Sequence, residues 1–221
     1  MGGSNKEHQI QEERGLWKAS AYIHRIAVRF RDKNLPLRIS YIQEAHKLIF
    51  LDSNLKDIGG KFRTNDPYLT RVDGSELRII NWTQIPAQIA IFNEELVYRT
   101  KELKRPSTKK GYAKIIDLAA KLSHRFACIH PFENGNGRAS RLLINFVLIR
   151  AGLHEITLTD DKERYLRSML QADRGDYEPL RKLVIEGLIK TTNKIVERQK
   201  NLRAEGKKKQ KRMIFHASDF K

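Results

Sequence analysis

Apolar residues recur along this chain at spacings of three and four, as in helices that each bury one stripe. Leu16, Ala19, Ile23, Ile26 and Phe30 form the first stripe, which Asn34-Leu35-Pro36 ends. Ile42, Ala45 and Ile49 open a second, with a start signal near Ser40. Ile89, Phe92 and Leu96 give a third, which lapses in Arg105-Pro106-Ser107. The clearest is the fourth, in which Ile115, Ala119, Leu122, Phe126 and Ile129 lead into His130-Pro131. Proline pushes the residue before it out of the α region, so this helix is predicted to stop there. Leu142, Phe146 and Ile149 mark a fifth, with Gly152 at its C′ position. Asp160-Asp161 opens a sixth helix through Leu170, Gly175-Asp176 interrupts, and Pro179 starts a long final helix toward Arg198.

Between the second and third helices the pattern breaks. Gly59-Gly60, Asn65-Asp66-Pro67 and Asp73-Gly74 punctuate an irregular stretch. After Asp73-Gly74, Leu77 and Ile79 alternate with Glu76 and Arg78, which predicts a β-hairpin reaching Pro86. The expected fold class is therefore all-α, a helical bundle with one short β-hairpin.

Composition narrows the setting. A chain of 221 residues suits one domain with extensions. Its single cysteine, Cys128, excludes an internal disulfide and a cysteine-based zinc cage. No run reaches the roughly 18 apolar residues that a membrane span requires, and no apolar signal core stands near the start. Met1-Gly2-Gly3-Ser4 resembles an appended leader, and Lys6 stands where a myristoylation signal needs Ser or Thr. A cytoplasmic protein is expected, with delivery into another cell left open. Residues 1–16 read as a leader or N-terminal extension, 17–198 as the folded domain and 199–221 as a basic tail.

The net charge of +17 is uneven. From Lys200 to Lys221 eight basic residues face two acids, and from Arg99 to Lys110 six face one. The run Gly206 to Arg212 reads as a mobile, solvated tail. Such a tail can meet nucleic acid or anionic lipid through counterion release. No aromatic residue interleaves its lysines, so nothing there suggests base stacking.

The chemistry concentrates in His130-Pro131-Phe132-Glu133-Asn134-Gly135-Asn136-Gly137-Arg138-Ala139-Ser140-Arg141. Glycines alternating with asparagines where a helix begins let successive backbone N–H groups point inward, an anion nest backed by the helix dipole. Arg138 and Arg141, three apart, project from one face of the first turn, and guanidinium forks suit a polyphosphate. His130 titrates near neutrality and can take a proton from a hydroxyl. Phe132 reads as a core anchor for the loop. A base, a cradle and two cationic clamps within so short a span suggest phosphoryl or nucleotidyl transfer from a nucleoside triphosphate.

This stretch resembles the signature of the Fic/Doc family, His-Pro-Phe-x-Asp/Glu-Gly-Asn-Gly/Lys-Arg-x-x-Arg, at eleven of its 12 positions. Gly60-Lys61-Phe62-Arg63, the hairpin from Gly74 to Pro86, and Ala172-Asp173-Arg174-Gly175-Asp176-Tyr177 also look like this family. The resemblance covers roughly Trp17 to Lys190. It implies a Fic fold and adenylylation, the transfer of AMP from ATP to a Ser, Thr or Tyr hydroxyl of a target protein. By that analogy His130 is the general base, and Asn136 and the amides of Glu133, Asn134, Gly135 and Gly137 hold the α-phosphate. Arg138 takes the β-phosphate, and Arg141 the γ-phosphate or an acid that competes with it. The hairpin becomes a flap whose Leu77, Arg78, Ile79 and Ile80 dock the target by strand addition.

The departure is Asn134, where the family usually places the Asp or Glu that holds Mg²⁺. An amide oxygen lacks the charge a hard cation prefers, so weak Mg²⁺ binding is expected, with phosphate oxygens and water carrying more of the coordination. Glu133 points out of the loop in another direction. Many relatives also carry an inhibitory helix with Ser/Thr-x-x-x-Glu-Gly/Asn, whose glutamate pairs with the second arginine. The nearest string, Ser40 to Glu44, is followed by Ala45 and lies in a core helix. A separate antitoxin-like partner then supplies the glutamate, or activity is not restrained in this way. Two other readings stand beside adenylylation: a Doc-like kinase or other phosphate transfer on the same scaffold, and a non-catalytic module that binds through its basic tail.

Overall fold

In a computed structural model, residues 3–158 and 162–218 are described, with side chains described over 10–158 and 162–205. Seven α-helices carry the fold: α1 (Gly3–Asp32), α2 (Ile39–Phe50), α3 (Ile85–Thr100), α4 (Lys109–Ile129), α5 (Asn136–Arg150), α6 (Lys162–Asp173) and α7 (Glu178–Ser218). Single 3-10 turns cover Lys56–Ile58 and Trp82–Gln84. The sixth helix's expected start at Asp160-Asp161 lies outside the described residues.

The antiparallel pair α4–α5 is the axis of the molecule. α1 and α2 pack on α5, while α3 and α7 pack on α4. All five predicted stripe residues of α4 are buried, as are Leu142, Phe146 and Ile149 of α5. In α1 the buried face runs through Ala19, Ile23, Ala27 and Phe30, with Leu16 and Ile26 at its edges. Gly15 lets α1 cross α2 closely, since a Cβ there would stand 2.0 Å from the Ile49 carbonyl oxygen. Arg150, fully buried, donates to the carbonyls of Leu35 (2.7 Å) and Leu103 (2.7 Å) and to Asn34 Oδ1 (2.9 Å). One guanidinium thus satisfies acceptors in two connections at the base of the bundle, which keeps it from being an uncompensated buried charge.

Two elements differ from expectation. Among the described residues there is no β-strand. The predicted hairpin is a turn with one isolated antiparallel bridge, Thr70 to Glu76, closed by Arg71 N–H to the Ser75 carbonyl (2.7 Å) and Leu77 N–H to the Leu69 carbonyl (2.8 Å). Ladder growth stops because the next bonded pair in that register sets Pro67 against Ile79, and proline has no N–H to give. The Ile80 carbonyl beyond accepts instead from the Arg63 guanidinium (2.6 Å), and a bare two-stranded ribbon is marginal in water. The final helix does not end near Arg198 but continues through Ser218. Its residues Leu180, Leu183 and Val184 are buried, whereas Val196 and Leu202 are exposed, so it leaves the body as a solvated helix. Among the described residues no helix is long and apolar enough to cross a membrane.

Candidate active site

α4 ends where Pro131 removes the next N–H, and His130 turns the chain with φ 50° and ψ 56°, a left-handed conformation uncommon outside glycine. Its N–H donates to the Phe126 carbonyl (3.2 Å), and its own carbonyl accepts from Arg63 Nε (2.8 Å). The imidazole faces a cavity of about 200 Å³ that Asn136 and Gly137 of α5 also line. Burial pushes its pKa down to about 4, helped by the nearby Arg63 charge and opposed by a backbone hydrogen bond with Ala127. At neutral pH the ring is therefore uncharged and able to accept a proton.

The following loop is fixed by its own side chains. Asn136 accepts from Phe132 N–H (3.0 Å) and donates to the Phe132 carbonyl (2.7 Å), so both ends of its amide are spent. Gly135 adopts φ 79°, and a Cβ there would meet His46 Nε2 and Phe50 at 2.9 Å, so both conformation and space demand glycine. His46, wholly buried, stacks on Phe132 at 3.7 Å between centroids. Its Nδ1 accepts from Gly60 N–H (2.9 Å), which leaves the proton on Nε2 for the Asn134 carbonyl (2.8 Å). Burial holds His46 near pKa 4, so this tautomer persists at neutrality. What the loop presents for an anion is main chain: the first N–H groups of α5 lack helical acceptors and carry the positive end of the dipole.

The two arginines take separate positions. Arg141 lies over the Tyr165 ring at 5.0 Å, and Tyr165 is a wall of the cavity. Arg138 lies over Phe50 at 4.7 Å and pairs with Glu12 of α1 at 3.1 Å. Neither guanidinium lines the cavity with His130; burial, with the Arg138 charge as a lesser cause, pushes the Arg141 pKa down. Arg141 makes no ion pair among the described residues. A phosphate reaching Arg138 meets a carboxylate already there.

Members of the Fic family commonly use Mg²⁺ with ATP. Here Glu133 and Asn134 are both exposed, and Asn134 Oδ1 accepts from Gly135 N–H at 2.6 Å. That oxygen is neutral and already engaged, so the loop does not form a protein-built site for a hard dication. Leu77 reaches the cavity; Arg78 is exposed; Ile79 is half-buried; Ile80 packs against the core. Leu77 N–H donates to the Leu69 carbonyl, and no cross-turn backbone bond joins Arg78, Ile79 or Ile80 among the described residues, so the flap's docking role rests on no strand here.

Four functional residues went unassigned in the sequence. Arg63, its side chain fully buried, joins the His130, Asn65 and Ile80 carbonyls and so ties the flap's base to the motif. Its signal was the Gly60–Arg63 segment. Tyr165, bonded through its hydroxyl to Ser140 Oγ (2.7 Å), also carries Arg141. His46 gave no signal, since a lone histidine on an apolar face reads as core. Glu12 sits ahead of the first strong stripe, and His8 and Glu13 stand where the inhibitory pattern wants Ser/Thr and Gly/Asn. It engages the first arginine of the motif, an arrangement absent from the alternatives weighed above.

Residues 36–148, just over half of the chain, match the Fic/DOC family. The chain is 28% identical over 184 residues to the protein adenylyltransferase Fic of Nematostella vectensis, covering 83% of this chain and 38% of that protein. Among solved structures, a Fic domain containing signaling protein from Bacteroides thetaiotaomicron superposes with a TM-score of 0.68 at 27% identity, covering 83% of this chain and 69% of that one. The BepC effector of Bartonella tribocorum, solved with bound AMPPNP, shares the fold with a TM-score of 0.52 at 22% identity, over 78% and 85% of the two chains. The chain spans less than half the length of the curated relatives it matches.

Proposed function

The chain belongs to the Fic/DOC family, and from that premise we propose that it is a protein adenylyltransferase that moves AMP from ATP to a hydroxyl of a target protein. One observation carries this reading. A neutral imidazole, His130, and the N-terminal turn of α5, at Asn136 and Gly137, open into a single cavity. The loop amides bind the triphosphate, and Asn136 acts by shaping the loop rather than by touching phosphate. His130 takes the proton of the target hydroxyl while its oxygen attacks the α-phosphorus. The bond to the β-phosphate oxygen breaks, pyrophosphate leaves, and the proton passes from the imidazole to solvent. An imidazole near pKa 4 is a weak base, and a bound triphosphate raises that value by adding negative charge. Arg138 and Arg141 stabilise the leaving pyrophosphate once they turn toward it.

Glu12 restrains the enzyme from within its own chain, because Arg138 cannot serve a phosphate while paired with it. Glu12→Gln should raise transfer. Incubating a lysate with ATP labelled at either the α- or the γ-phosphate tests the reaction. Label from the α-position should reach protein with wild type and not with His130→Ala; transfer of the γ-label would make the protein a kinase instead.

A further inference from the structure

We infer a second ligand site in the wall of the same cavity: His124, Cys128 and Asp173 bind a borderline-soft divalent cation of the Zn²⁺ class. His124 and Cys128 are four apart on α4 and so share a face, and Asp173 ends α6 against them. His124 Nε2 lies 2.9 Å from Asp173 Oδ1, and Cys128 Sγ lies 3.4 Å from Nε2 and 3.8 Å from Oδ1. A tetrahedral zinc with ordinary Zn–N, Zn–O and Zn–S bonds sets the matching separations at about 3.3, 3.6 and 3.5 Å. Each observed value is within about half an ångström of that figure, so small side-chain shifts suffice.

The same atoms argue against a nucleophilic relay. A Cys-His-Asp triad needs thiol and carboxylate on opposite ring nitrogens. Here both approach Nε2, while Nδ1 meets the Tyr177 hydroxyl at 3.1 Å. Three donors that converge on one point suit an ion, and a thiolate, an imidazole and a carboxylate together favour zinc over magnesium or calcium. The surrounding groups fit as well. Arg71 Nε holds the other carboxylate oxygen at 2.9 Å and so aims Oδ1 inward. Tyr177 can donate to Nδ1 or accept from it, so it supports either tautomer, as partners behind metal-bound histidines do. On binding, the thiol proton goes to solvent and the Nε2 proton is relocated to Nδ1. All three side chains line the 200 Å³ cavity, which leaves the fourth position to water.

The test uses full-length protein stripped with a chelator and then titrated with Zn²⁺ against a chromophoric competitor. One equivalent should bind, Cys128→Ser should weaken binding about 100-fold, and Tyr177→Phe about 10-fold, the range for a partner behind a ligand. Co²⁺ in place of Zn²⁺ should give wild type a thiolate-to-metal charge-transfer band that Cys128→Ser lacks. Equal Zn²⁺ affinity in wild type and Cys128→Ser would overturn the site, as would loss of binding on His154→Ala, since His154 is an exposed histidine outside the three-residue cluster. If Cys128→Ser does not fold, the wild-type cobalt band decides alone: its presence supports the site and its absence refutes it. None of these readouts depends on AMP transfer, so the two proposals fail separately.

Discussion

Two segments border the cavity, and they differ in how deeply they are held. The loop from His130 to Gly137 is fixed by Asn136 on both peptide groups of Phe132 and by the buried His46 of α2 on the Asn134 carbonyl. The segment from Asp66 to Asn81 closes its turn through Asp73 and Ser75 and its base through Asp66 and Asn81. None of its residues is buried, however, and two arginines, Arg63 at its base and Arg71 at its turn, tie it to the body. Arg71 reaches both Asp173 and the Glu76 carbonyl. The contrast suits a site that must present phosphate-binding amides without rearrangement while its cover adapts to a second substrate. Asn134 and Asn136, which look like ligands in the sequence, here bond main chain, and the proposed phosphate binding falls to the main chain.

Breaking the rigid side should cost most. Asn136→Ala leaves the N–H and carbonyl of Phe132 buried without partners and should destabilise by about 3 kcal/mol, read as a lower urea midpoint. Arg63→Lys comes next. One ammonium cannot replace a fork that serves three carbonyls, so a loss of about 2 kcal/mol is expected. Protease should then cut first within residues 66–81 while the loop stays protected.

Acid sharpens the contrast further. His46 and His130 sit near pKa 4 in the fold, against an ordinary value of 6.5. Between those values the unfolded chain binds more protons, so stability is complete above pH 6.5 and falls as pH drops toward 4. Urea midpoints measured across that window should slide downward, and a flat profile would contradict the burial of the two rings. The smallest effect belongs to the flap's turn. Arg71→Ala removes a partly exposed pair and should cost under about 1 kcal/mol, yet hydrogen exchange of the backbone amides at position 71 and Leu77 should speed up.

Much of this was legible in advance where one physical rule dominated. The α4 stripe from Ile115 to Ile129 is buried as its period requires, and Pro131 sets the helix end at His130. The hairpin stays a single bridge because alternation at Leu77 and Ile79 says nothing of the opposite side, where the register sets Pro67, without an N–H, against Ile79. The last helix overran Arg198 because its charged residues favour helix without needing a core. Glu12 was hidden for a different reason: its partner lies more than a hundred residues away, and no local pattern marks a long-range ion pair.

The central claim is that a main-chain cradle and a neutral base are separate parts of one cavity, with Glu12 withholding the Arg138 guanidinium from a bound triphosphate. Calorimetric titration of ATP into Glu12→Gln, alone and combined with His130→Ala, tests it most directly. The account predicts saturable binding with the same Kd in both proteins, tighter than in wild type. Absence of ATP binding to Glu12→Gln, or its loss when only the histidine is removed, would contradict it.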